Sequence, residues 1–501
     1  MNIVFRVDCN SFIGLGNFNR CLAIAEKLYN KKNRIFFVMN ENPKVAINYE
    51  KKYEFIYLNN KIFDEIRDAD KLLKHFLFLK IDFIFLDQIK LNKLWKSIIK
   101  FKCKNIISFN DLLVEDKISK FQICYNLRAE KQKNDKKLFG PEFFVTKNKK
   151  KQSMRKKVDL IFYYGGSGDF SFFRKITKNL LKSNLKIRFI IGPLSKNYNW
   201  IIKLSKFNKL ISYIKNPQNI IYEFSLGYLV VASAGTSIYE LNLSKTPAIL
   251  FRTSYEQINL TSDLEKLGHF FYFSKEDLLD HKKFSTFIIK LIKNHYSELI
   301  KIIQNRKINI NFLGANKIID KIFNKKTDII FNKKKIKILD NKKSFRISRI
   351  KFNQINQAFD LINKKNNRSV SVSKKINYLD HCIWWLTNKR ETYCLTDNNK
   401  KIQLIFYHEI IEINKSKYII AGWYSEKNLN FLQILRCLII QYKKIPNGFR
   451  WLSIINKKNR VSKKINDYFK FITVDVHSKE YYAIKKIYKN NNNFNYYYLD
   501  K

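Results

Sequence analysis

A chain of 501 residues, 46% hydrophobic and 15% aromatic, carries apolar surface for more than one core. That excludes wholesale disorder and predicts two or three domains. The formal charge of +54 comes from 96 Lys and Arg against 42 Asp and Glu, spread over the whole length. With only 13 Gly and 6 Pro, against typical usage of roughly 7% and 5%, and with abundant Asn, Ile, Phe and Tyr, this is what an AT-rich coding sequence imposes on any protein. The charge therefore predicts no nucleic-acid partner, although it favours an anionic ligand.

The seven cysteines, at 9, 21, 103, 124, 382, 394 and 437, form no C-x-x-C pair and no His/Cys cluster at zinc spacing, so no metal site is expected. No apolar run approaches the roughly 18–20 residues of a membrane span. The start, MNIVFRVD, has no basic region leading into an apolar block. Cytoplasmic residence is the expectation; oligomeric state is not readable.

In chain order, residues 1–150 alternate strand and helix: IVFRV, RIFFVM, FIFLD and NIISFN are short apolar runs, with helical patterns at 18–31, 62–80 and 90–101. Such alternation predicts a parallel sheet with helices on both faces. The polar, basic run 146–157 reads as a linker. A second alternating block at 158–325 holds VDLIFYYGG, KIRFIIG, YLVVASAG and PAILF. After another charged junction, 345–501 has a different texture, with strands KYIIAGWY and FRWLSII around a helix near 428–443. The fold class expected is α/β: two Rossmann-like domains facing a cleft, then a smaller α+β domain.

Two segments carry the chemistry. In VFRVDCNSFIGLGNFNR (4–20), a strand runs into a loop with Gly14 and Gly16 that opens a helix. Glycines there let backbone approach a ligand, and the helix N-terminus offers N–H groups to an anion. In SAGTSIYELNLSKTPAILF (233–251), Ser233, Ala234 and Gly235 form a small-residue turn after a buried strand. Thr236 and Ser237 can cap the next helix, facing its N–H groups to a diphosphate. Glu240, one turn in, is spaced to accept ribose hydroxyls, and Gln257 begins a further helix.

The first segment resembles the R-x-D-x-x-x-x-I-G-x-G-H-x-x-R signature of the nucleotide-sugar hydrolases of pseudaminic acid synthesis, through Arg6, Asp8, Ile13, Gly14, Gly16 and Arg20. The second resembles the UDP-binding segment those enzymes share with MurG-like transferases. Gly165 and Gly166 fit the family's second-domain glycine pair, Asn110–Asp111 its Asp-Asp, and Gly140–Pro141–Glu142 its G-P-E turn. The resemblance implies a glycosyltransferase-B architecture over residues 1–320 that hydrolyses a UDP-linked diacetamido-trideoxy hexose without a cofactor. Asn17 stands where the family has its water-activating histidine, and Gln88 where it has a second histidine. An amide orients water but does not take its proton, so Asp8 is the substitute base to consider. The alternatives are a glycosyltransferase using the same cleft and a non-catalytic nucleotide-sugar-binding protein.

In the last domain, Arg368, Ile376, Asp380–His381 and Trp384–Trp385, with Ile454–Asn459 downstream, resemble the acetyl-CoA-dependent GNAT N-acetyltransferases of the same pathway. The resemblance implies acetyl-CoA as a possible cofactor, with His381, Trp385 and Asn459 as site residues. Against this, the segment after KYIIAGWY, SEKNLNFLQILRCL, has no glycine with which to cradle pyrophosphate.

Overall fold

The computed structural model describes all residues except 11–12, 44–45, 61–62, 148–154, 254–260, 324–344, 365–366, 368–374, 389, 414–415, 458, 488–493 and 501. It divides into two compact units, Met1–Asn332 and Lys333–Lys501. Arg368, Gln257 and most of the 146–157 junction lie outside the described residues.

The first unit holds two parallel sheets. One consists of β1 (Asn2–Val7), β2 (Arg34–Met39), β3 (Glu54–Tyr57), β4 (Phe83–Asp87), β5 (Ile106–Phe109), β6 (Phe121–Cys124) and β7 (Lys137–Phe139), in the order β3-β2-β1-β4-β5-β6-β7. Its strands are apolar on both sides because both faces are covered. On β1, Ile3, Phe5 and Val7 pack towards the helix Gly16–Leu28, while Val4 packs with Leu72, Trp95 and Ile99 on the opposite face. The other sheet is built from β8 (Val158–Tyr163), β9 (Ile187–Ile191), β10 (Ile211–Lys215), β11 (Gly227–Ser233), β12 (Ala248–Phe251) and β13 (Phe271–Phe273), in the order β10-β9-β8-β11-β12-β13. Two doubly wound sheets of this kind make the glycosyltransferase-B type of architecture.

The helix Gly314–Phe323 follows the second sheet in sequence but packs into the core of the first, through Ala315, Ile318 and Ile322. Its Phe323 ring lies 4.5 Å from Phe83. Gly314 is required at its start, since any Cβ there would overlap the Phe144 carbonyl. The sequence places 158–325 in one domain; the packing returns its last helix to the other.

The second unit is a mixed sheet of β14 (Arg346–Arg349), β15 (Glu391–Thr396), β16 (Ile402–Ile413), β17 (Ser416–Ser425), β18 (Arg450–Asn456), β19 (Ile472–Thr473) and β20 (Phe494–Asp500), in the order β14-β15-β16-β17-β18-β20-β19. The pair β17–β18 is parallel and laddered only from Tyr418–Ile420 to Arg450–Leu452. Beyond Ile420 and Leu452 both strands run on without pairing to each other. The helix Phe431–Lys443 lies against one face, and Ile355–Ile362 and Tyr378–Thr387 lie towards the other. This is a GNAT-like arrangement.

Candidate active site

In each parallel sheet the strand order reverses at one place: between β1 and β4 in the first, and between β8 and β11 in the second. Loops leaving the C-terminal ends of strands at such a switch point diverge and leave a crevice. The loops after β1 (Asp8–Leu15), β4 (Gln88), β8 (Tyr164–Gly168) and β11 (Ala234–Thr236) therefore share one cleft, whose volume is about 1860 Å³.

The glycine loops meet across it. Gly14 has φ +81°, a conformation L side chains rarely adopt. A Cβ on Gly16 would sit 3.7 Å from Thr236 Cγ2, and one on Gly166 would sit 3.3 Å from Leu15 Cδ1. Gly165, at φ +81°, lies against Ser233, where a Cβ would be 3.3 Å from Oγ. A further glycine, Gly192 at the end of β9, supports this pair: a Cβ there would come 2.6 Å from the Gly166 carbonyl oxygen. In the sequence it is the glycine that ends KIRFIIG, just before Pro193, which reads as a strand end and nothing more.

After β11, the turn Ala234–Thr236 leads into the helix Ser237–Ser244. The expected cap is not made by Thr236, which has no side-chain cap hydrogen bond. Ser237 Oγ instead donates to the Ser233 carbonyl at 2.5 Å, bracing the turn. Beneath the helix, His269 Nε2 donates to the Ile238 carbonyl at 2.6 Å. Glu240 lines the cleft beside Tyr163, whose hydroxyl is held protonated by burial and by the Glu240 charge.

Asp8 follows β1 and is tied from three sides. Oδ1 accepts from Arg6 Nη1 at 2.8 Å and from the Asn40 backbone N–H at 2.6 Å. Oδ2 accepts from Gln88 Nε2 at 2.5 Å. Arg6 is itself fixed by Asp68, at 3.0 and 2.6 Å, and Asp68 also takes the Trp95 indole N–H at 2.9 Å. Asn17, half-buried at the start of the helix Gly16–Leu28, lines the same cleft. Cys9, beside Asp8, is pushed up to about 12 by burial and the Asp8 charge, so it stays a thiol and is no nucleophile.

Arg20, a match to the same signature, is buried in the wall of the cleft. Nε and Nη2 donate to Asp87 at 2.5 Å each, Nη1 donates to Tyr125 Oη at 2.7 Å, and Nη2 lies 2.8 Å from Asp111. Its guanidinium also stacks over Phe109 at 4.1 Å. Burial opposes its charge, but Asp111 and Asp87 outweigh that and keep it protonated. It is a girder joining β4, β5 and β6. Asn110 likewise serves its own turn, bonding Val114 and Gln122, and Glu142 pairs with Lys133.

In the second unit, His381 is buried, donating from Nε2 to the Ile355 carbonyl at 3.0 Å and packing against Phe359 and Trp385. Asn459 caps the helix Arg460–Phe469, its Oδ1 accepting the Ser462 N–H at 3.1 Å. The loop after β17 does not fit a pyrophosphate. Asn430 Oδ1 takes the Leu432 N–H at 2.9 Å, occupying a donor at the helix start. The Glu426 carboxylate stands there too, bound by Lys364 at 2.6 and 2.5 Å. Among the described residues no cluster of His, Cys, Asp and Glu could hold a metal ion, and no helix is long and apolar enough to cross a membrane.

No family model matches the chain. A curated relative, an uncharacterized protein of Methanocaldococcus jannaschii, is 22% identical over 276 residues, 50% of this chain and 55% of its own length. The chain thus spans about half of that relative. Among solved structures, MurG of Acinetobacter baumannii covers 64% of this chain and 99% of its own, at 10% identity and a TM-score of 0.48. The MnaA–UDP complex of Staphylococcus aureus covers 64% and 95%, at 12% identity and a TM-score of 0.40. An N-acetyltransferase of S. aureus Mu50 covers 31% and 98%, at 17% identity and a TM-score of 0.25.

Proposed function

We propose that the part up to residue 323 hydrolyses a UDP-linked diacetamido-trideoxy hexose to free sugar and UDP. What carries the reading is the meeting of two glycine turns at the switch points of two parallel sheets, the crevice where doubly wound sheets take nucleotides. UDP lies on the second half, with its diphosphate at Gly235–Thr236 and its ribose at Glu240. The sugar reaches towards Asn17 and Asp8. Asn17 orients a water molecule that attacks the anomeric carbon. The bond from that carbon to the phosphate oxygen breaks, UDP leaves with the electron pair, and Asp8 takes the water's proton. The grip of Arg6, Asn40 and Gln88 fixes the carboxylate in one orientation.

The test is incubation with the sugar nucleotide and no acceptor. Free reducing sugar and UDP should accumulate, and an intact substrate would overturn the reading. Glycosyl transfer is the second reading, favoured by the cleft volume of 1860 Å³, well above the roughly 300–1,000 Å³ of ordinary small-ligand pockets. It predicts UDP release only when an acceptor is added. For the second unit we propose a GNAT-like domain with weak acetyl-CoA binding, because Asn430 and Glu426 occupy the segment where phosphates would need bare backbone donors.

A further inference from the structure

We propose that the edge of the first sheet opposite the cleft is a docking surface for an anionic membrane leaflet. The helices Glu65–His75 and Lys93–Lys100 pack side by side on one face of that sheet. As crossovers between parallel strands they run back against the strand direction, so both end at the edge where the strands begin. There the chain exposes Leu77, Phe78 and Phe101, at 62%, 98% and 95% of their surface. Lys102 Nζ donates to the Leu77 carbonyl at 3.0 Å and ties the two loops together. Each ring is held out by a packed neighbour in sequence, Phe76 in one loop and Cys103 in the other, both buried.

The surroundings are basic. Lys102 and Lys104 are exposed, and Lys80 is exposed but paired with Asp82. The acids beside them are engaged: Asp82 accepts the Asn2 N–H at 2.8 Å and lies 3.3 Å from Lys80, and Asp70 lies 2.8 Å from Lys74. Two solvent-bare phenylalanines cost free energy in water unless something covers them. A second copy of this edge would bring lysines against lysines. A leaflet of acidic lipid complements both features, taking the rings at the headgroup boundary and the lysines at the phosphates.

The experiment is flotation of the full chain with vesicles of phosphatidylcholine alone and of phosphatidylcholine with phosphatidylglycerol. Binding is expected only to the acidic vesicles and should weaken with salt. The double variant Phe78→Ser, Phe101→Ser, at positions too exposed to disturb the core, should lose about tenfold or more in vesicle affinity with its melting temperature unchanged. Equal binding by the double variant would mean that bulk charge alone draws the chain, and would overturn the proposal. So would failure of the unaltered protein to float. Self-association of the unaltered protein that the double variant abolishes would assign the edge to a second copy instead.

Discussion

At Asp8, three donors converge on one carboxylate, and the consequences of disturbing it are specific. Asp8→Asn should abolish hydrolysis, since the amide put in its place takes no proton from the water; product analysis by chromatography checks this. Asn17→His should raise the rate by something like the 10²–10⁴-fold typical of general acid–base catalysis, provided position 17 faces the attacking water. An unchanged rate in Asn17→His together with a dead Asp8→Asn would assign the proton transfer to Asp8 alone. Glu240→Ala should weaken UDP binding by roughly 1–3 kcal/mol, the range for hydrogen bonds to charged groups, measured by calorimetry. In the sequence, Arg20 has the same standing as Asp8, because both match one signature. Only the structure separates them, since Asp87, Asp111 and Tyr125 come from strands distant in sequence.

Elements reveal where sequence patterns were strong and where they failed. β1, β2, β4 and β5 coincide with apolar runs, but β3, β6, β7, β10 and β13 do not stand out. EFIY, FQIC, KLF, ISYIK and FYF are too short, or too broken by polar residues, to show a period. Their place comes from pairing with a neighbour already in the sheet. The glycine turns respond to substitution in the same local way. Gly192→Ala should cost about 1–3 kcal/mol in a denaturant titration, because its Cβ would press on the Gly166 carbonyl and displace the turn. The helix Arg460–Phe469 ends on Lys470 at φ +58°, a left-handed position where glycine is free of strain. Lys470→Gly should therefore stabilise the second unit by about 1 kcal/mol, read as a shift of its urea midpoint.

Over the whole molecule, each unit buries a histidine in neutral form. Burial lowers His269 to about 4 despite its bond to the Ile238 carbonyl, and the Arg306 charge lowers it further. Burial likewise lowers His381 to about 4 against the Ile355 carbonyl. Unfolding returns both to near 6.5, so the unfolded chain binds more protons between those values. The contribution of these two groups to stability is full above about pH 6.5 and is lost as pH drops towards 4, which urea midpoints at pH 7 and pH 5 will show. His269→Gln should be less stable at pH 7 but lose less on acidification of the first unit. The sequence by itself determined the two alternating halves and the separate last domain, because hydrophobic period is local and survives even heavy lysine and asparagine bias. It also determined the glycine turns, since a turn's conformational demand falls on the residues that make it. What only the tertiary structure decided was long-range: that the helix Gly314–Phe323 crosses back to the first sheet, that Arg20 is a girder, and that Asp8 is gripped by Gln88 from another strand's end. Those outcomes depend on which strands lie side by side, and strand order is set by burial of both sheet faces, which no short window of sequence records.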